Sequence, residues 1–313
     1  MKTSNIIGCA GSVILLLLVS AWLPFIGPFF SLLIPLPFLF YTSKLGLNQG
    51  LITGLITLFI VGLIGRLASY PPQLLLFCLE FAVVGLIISE IFRREFSFGL
   101  TIFWGTVLML LVGAVFLFFI GLSKGLGPAE LILGYFKSNL NRSISFYEGM
   151  GLEPEKVIQI RQFGTMLTEL IAKIYPALLV VGTGFVIWIN VVISRPLFRL
   201  GKIKYPDLGQ TDRWKAPEYM VWAVIAAGFS LFFPVSGIQI IAKNILIVLS
   251  VIYVFHGLSI IMFFFNRYKI PSWARCGIYV LIIVQQMFLL VLAFAGLFDQ
   301  WVDFRKIHRK EAS

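Results

Sequence analysis

The chain has 313 residues, of which 59% are hydrophobic and 12% charged, with a formal net charge of +11 and a mean hydropathy of +0.96. Soluble domains carry roughly 25% charged residues. Half that share, with apolar runs along the whole length, excludes an ordinary soluble globule and predicts a polytopic membrane protein. The positive charge does not point to nucleic acid. The basic residues gather between apolar runs, as cytoplasmic loops require, and no recognition motif accompanies them.

Runs of this length cross lipid only as helices, because the bilayer core offers backbone groups no partner. The short alternating strands of a membrane barrel are absent from the sequence. The expected fold is therefore all-α: a polytopic transmembrane helix bundle of 8–9 spans, with an amphipathic surface helix in its longest loop. The first expected span is 6–23. It begins like a signal peptide but has no small-residue cleavage site, so it reads as an uncleaved span. Pro24, Gly27 and Pro28 break it.

The second run, 29–41, contains Pro35 and Pro37 and is either a kinked span or a re-entrant segment. The third, 45–64, stacks Gly46, Gly50 and Gly54 on one helix face, which lets a neighbouring helix approach closely. Asn48 sits at its start, where it can face a polar cavity. The fourth, 72–91, holds Glu80 near its centre. A carboxylate at that depth usually faces the bundle interior, paired or protonated. It marks either a pathway or a neutral side chain bonded to a neighbouring helix. The fifth span is 98–120.

The region 121–173 is the longest polar stretch and is expected outside the cytoplasm. Val157, Ile160, Phe163, Leu167, Leu170 and Ile174 recur every three to four residues, so 154–174 reads as an amphipathic surface helix. The sixth span, 176–193, ends at Trp188 and Asn190. Arg195, Arg199, Lys202, Lys204, Arg213 and Lys215 follow, and such a loop fixes its side of the membrane as cytoplasmic. Further spans are expected at 220–233, 238–264 and 276–297. His256 lies in the second of these, as a packing histidine or a proton relay, and Gln285 and Gln286 lie in the third. Nine spans cannot place every basic loop and the tail on one side, and a count of eight eases the conflict.

These readings give a six-span bundle over 1–194, a basic cytoplasmic loop over 195–218, and a two- to three-span module over 219–313. The N-terminus is expected on the cytoplasmic side of the membrane. The ligand-binding candidates are Glu80, Asn48, Asn190 and His256. Cys9, Cys78 and Cys276 are scattered, with no metal spacing, and read as small packing residues. No metal, cofactor or catalytic group is expected, and the chain does not read as an enzyme. Its expected partners are the lipid bilayer and a membrane or cytoplasmic protein docked on the Arg195–Lys215 loop. There is no nucleotide-binding motif, so active transport would need a separate ATPase.

Several short motifs carry a resemblance. They are Trp188-Ile189-Asn190, Arg195-Pro196-Leu197-Phe198-Arg199, Asp212-Arg213-Trp214 with Pro217-Glu218-Tyr219, Gly257, Gly296-Leu297-Phe298-Asp299, and Asp303-Phe304-Arg305-Lys306. Over most of its length the chain resembles the YybS-like family, bacterial membrane proteins grouped under a domain of unknown function. Its N-terminal region is distantly similar to substrate-binding subunits of energy-coupling-factor vitamin transporters and to MreD-type rod-shape proteins. That resemblance implies a six-helix bundle over 6–193 with three spans after it. The expected function is a small-molecule binding or transport subunit of the bacterial cytoplasmic (inner) membrane that lacks its own ATPase, with a non-catalytic scaffold in envelope or cell-shape assembly as the alternative.

Overall fold

The computed structural model describes residues 3–23, 26–70, 73–149 and 154–305. Pro24 and Lys306, which the sequence singles out, lie outside the described residues. Within them the chain forms helices and no strands. Helices α1 (Thr3–Trp22), α2 (Gly27–Ser31), α3 (Pro35–Leu45), α4 (Leu47–Leu67), α5 (Gln73–Arg93) and α6 (Phe98–Lys124) come first. Then follow α7 (Pro128–Gly149), α8 (Pro154–Leu200), α9 (Met220–Ser230), α10 (Ser236–Arg267), α11 (Ser272–Val284) and α12 (Met287–Val302).

Among the described residues, seven helical stretches are long and apolar enough to span a bilayer: α1, α2 with α3, α4, α5, α6, α8 and α10. The first six of these lie within residues 3–200. The C-terminal part differs from the three plain spans expected there. The expected span at 220–233 is the 11-residue helix α9. The expected span at 276–297 is the pair α11 and α12, bent by 105° at Gln285 and Gln286. The amphipathic segment 154–174 is not a separate surface helix. It is the first part of α8, whose 47 residues run on into a span with a rise of about 70 Å at 1.5 Å per residue.

The chain packs as two compact units, 1–113 with 182–209, and 114–181 with 210–313. The boundary expected after residue 194 therefore falls inside α8.

The first unit is built on apolar packing. Val13, Ile34, Phe38, Leu39, Cys78, Ile88, Ile187 and Val191 form its centre. The Pro-rich run is a broken helix with a clear cause. Leu33 and Ile34 bond three residues back, to Phe30 and Ser31, and Leu36 bonds to Leu33. Pro35 has no N–H to offer Leu32, so the Leu32 carbonyl is left without a helical partner. The segment after α8 is not a free loop. The Phe98 N–H donates to Leu208 O at 3.0 Å, and the Tyr205 hydroxyl donates to Val191 O at 2.8 Å. Burial pushes the Tyr205 phenol above its usual pKa, with Ser194 and Arg195 pulling it back. Lys204 pairs with Glu95 at 2.8 Å on the exposed surface.

The second unit has a smaller apolar cluster, Ala216, Val221, Leu249 and Tyr253. Helices α10 and α12 approach closely at two glycines. A Cβ on Gly257 would collide with the Leu292 carbonyl, and one on Gly296 with the Tyr253 carbonyl. Several helices stop on left-handed residues other than glycine, among them Asp303 after α12, at φ 45°.

Candidate functional site

The glycine crossing of α10 and α12 brings His256 against Asp299. Both are fully buried, with His256 Nε2 3.1 Å from Asp299 Oδ2. Asp303 then reverses the chain in the left-handed region and returns Arg305 to the same place. The Arg305 Nη2 atom lies 2.9 Å from Asp299 Oδ2 and 2.9 Å from His256 Nε2. Its Nη1 donates to Ser259 Oγ at 2.8 Å, and to the carbonyls of Asp212 and Trp214, each at 3.1 Å. Ser259 Oγ itself donates to Trp214 O at 2.8 Å. The other oxygen of Asp299 accepts the Phe304 N–H at 2.8 Å.

Arginine only donates and a carboxylate only accepts. The Arg305 contact with Nε2 therefore uses the imidazole lone pair, whereas the Asp299 contact needs a proton on that nitrogen. One nitrogen does one or the other, so the Arg305–Asp299 pair is the constant part of the cluster. Three polar atoms in or beside it have no partner: His256 Nδ1, Arg305 Nε and Tyr253 Oη. Chemically, the cluster ties two helices to the segment 212–216, which begins in a 3-10 turn at Thr211–Arg213. Lys215 with Asp303 at 3.0 Å and Gln300 with Ala216 O at 2.9 Å extend the same seam.

The other candidates do not join it. Asn190, in the first unit, donates to Val186 O and to Leu32 O, both at 2.8 Å. It thus supplies the donor that Pro35 withholds from the Leu32 carbonyl. Asn48 lies at the start of α4 and is exposed. Glu80 departs from the expectation of an interior carboxylate. It is exposed, with no hydrogen-bond or ion-pair partner among the described residues. The buried face of α5 is set by Cys78, Phe81, Ala82, Ile88, Ser89 and Phe92. Glu80 stands off that face. Of the cysteines, Cys9 and Cys78 are buried, and Cys276 is exposed instead of packed.

Reasoning from the sequence missed two residues of consequence. Arg305 stands in the sequence only within a motif of the family resemblance. Asn244 carries no sequence signal of its own, yet its amide bridges a gap in α8, donating to Lys173 O at 2.7 Å and accepting from Ala177 N at 2.8 Å. Pro176, one residue before Ala177, is the signal that such a bridge is needed. Separately, a groove of about 470 Å³ lies between α7 and α8, with Tyr135, Asn139 and Tyr175 among its lining residues. Among the described residues no three His, Cys, Asp or Glu side chains stand together as metal ligands would.

The family model described as a predicted membrane protein (DUF2232) matches residues 12–300. The uncharacterised protein YybS of Bacillus subtilis (strain 168) is 24% identical over 94% of this chain and 93% of its own length. No solved structure matches. A family match over nearly the whole chain, on a bundle of apolar helices long enough to cross a bilayer, places this protein in the DUF2232 family of membrane proteins.

Proposed function

We propose that this protein is a non-catalytic assembly subunit of the bacterial cytoplasmic membrane, acting as a scaffold that docks other membrane proteins. The observation that carries this reading is Glu80. It sits seven residues into α5, about 10 Å along the helix axis, and faces outward without a partner. A charged side chain near the middle of a span costs about 3 kcal/mol on insertion scales and is normally covered by a partner. The polar groups inside the units are engaged with their own chain instead. Asn190 and Asn244 repair helix breaks, and His256, Asp299 and Arg305 hold one another out of reach of a substrate. That use of the interior favours docking over catalysis.

The orientation follows from charge. In the first unit Lys44 lies near Asn5, Arg93 near Gly46, and Lys204 beside Glu95, so the N-terminal end of α1 belongs to the basic end. The rule that basic loops stay inside makes that end, and with it the N-terminus, cytoplasmic. In the second unit Arg213, Lys215, Arg267 and Arg275 mark the corresponding end. The exposed Arg195, Arg199 and Lys202 give a cytoplasmic partner its landing point.

The test is to purify the protein gently from its own membrane and identify stoichiometric membrane partners, with and without Glu80→Leu. Partners lost in the variant support the reading. A chain that purifies alone, or partners indifferent to Glu80→Leu, would overturn it.

The groove between α7 and α8 favours a second reading, a small-molecule binding or transport subunit that relies on a separate ATPase. Native mass spectrometry should then find a bound molecule that Tyr135→Ala with Tyr175→Ala removes. A wild-type protein free of any small molecule ends that reading.

A further inference from the structure

The bent pair α11–α12 starts and finishes at the same end of the second unit. At its start, Arg275 donates to Ile270 O at 2.7 Å, to Asn266 Oδ1 at 2.9 Å and to Phe265 O at 3.1 Å. Asn266 donates in turn to Asp212 Oδ2 at 2.9 Å. Just past its finish, Arg305 donates to the backbone carbonyl of that same Asp212. A straight span would put these two feet on opposite faces of the membrane. The first foot reaches Asp212 through Asn266 and the second bonds its backbone carbonyl, and the helices turn through 105° between them. The pair is therefore a re-entrant hairpin. Arg275 and Gln285 are ten residues apart, a rise of at most about 15 Å, half the hydrocarbon thickness of about 30 Å.

The apex of this hairpin is polar and uncovered. Gln285 ends α11 in an extended conformation, at φ −101° and ψ 93°, and Gln286 opens α12. Both are exposed, and neither amide side chain finds a partner among the described residues. Beside them Ile283 is 74% exposed, Val284 75% and Met287 65%. Broken backbone and free amides at membrane depth are tolerated only under protein or beside water.

We propose that this apex is a self-association site, covered by the same apex of a second copy of this chain. The chemistry selects that occupant. A carboxamide both donates and accepts, so two glutamines related by a two-fold axis satisfy each other. Residues 276–298 carry no charge, so the flank offers nothing to a charged partner and matches another apolar flank. The surface lies in the second unit, apart from Glu80 in the first, so it stands or falls independently of the docking role assigned to Glu80.

The experiment uses the full chain in native membrane vesicles, with the exposed Cys276 replaced by serine. Gln285→Cys or Gln286→Cys should yield a disulfide-linked dimer on mild oxidation, whereas Phe59→Cys, on an exposed face of α4, should not. In liposomes, the Gln285→Leu and Gln286→Leu double variant should dimerise at least tenfold more weakly than the parent. Three results would overturn the proposal: a monomer at every lipid dilution, dimers unchanged by the double variant, or cross-links to a different protein. Labelling of Gln286→Cys by an impermeant maleimide from the outer face would overturn the hairpin itself.

Discussion

The two units solve the same problem with different materials. In the first, large apolar side chains from α3, α5 and the end of α8 fill the interior, and the inner side-chain hydrogen bonds are uncharged, such as those of Asn190, Tyr205 and the Ser43–Ser89 pair. In the second, the apolar cluster is small, and the helices are held by two glycines in contact and a buried ion pair. In lipid, apolar burial drives helix association weakly, because the tails are as apolar as leucine. The first unit therefore depends on shape, and the second on a few bonds that water and lipid cannot replace. A bundle held by shape tolerates loss of one contact, whereas one held by an ion cluster concentrates its stability in a few residues.

That contrast is open to mutation. The largest effect is expected at Arg305→Met, which strands the buried Asp299 and should cost about 3–5 kcal/mol of stability. Asp299→Leu together with Arg305→Met should recover much of that loss, since an apolar replacement for a buried pair is often close to neutral. Thermal unfolding in detergent measures both. A double variant as unstable as the single one would remove the ion pair from the account of the second unit.

Next comes shape in both units. Gly257→Ala drives a methyl into the Leu292 carbonyl, and Gly85→Ala places one 2.6 Å from the Pro35 carbonyl. Each should lose about 1–3 kcal/mol, because backbone cannot give way as a side-chain tip does. If Gly85→Ala alone is tolerated, the first unit is more plastic than its packing implies. A smaller loss, about 0.6 kcal/mol, is expected for Asn190→Leu and for Asn244→Leu, the usual size of a hydrogen bond between membrane helices. Loss of several times that amount would make helix repair a main support of each unit. The smallest effect is at the exposed Lys204–Glu95 pair, where Lys204→Met should leave the melting temperature unchanged.

Much of the fold is legible in the sequence. Each span of the first unit contains a predominantly apolar stretch long enough to cross a bilayer, and hydropathy needs nothing else. The facing of each helix is not legible for the same reason. With apolar residues all round α5, no periodicity distinguishes the side that holds Glu80 from the side that holds Cys78. The ionic cluster is hidden by distance along the chain, with His256 lying 43 residues from Asp299 and 49 from Arg305. Its closure depends on the left-handed turn at Asp303, a residue type that tolerates that region without advertising it. The conflict over nine spans has a structural source as well. The run at 276–297 has the composition of a span, but it bends by 105° at Gln285 and Gln286, and composition does not report a bend.

The return of Arg305 beyond Asp303 also sets a timetable. Every described helix of the second unit precedes Arg305 in the chain, so these helices are synthesised before the residue that joins them. Helices inserted during synthesis remain separable until Arg305 arrives, and His256 and Asp299 wait without their guanidinium. The second unit is thus completed by a final clasp, after insertion and independently of it. A nascent chain interrupted just short of Arg305 is fully inserted yet unfastened, and that difference is one a membrane protease can read.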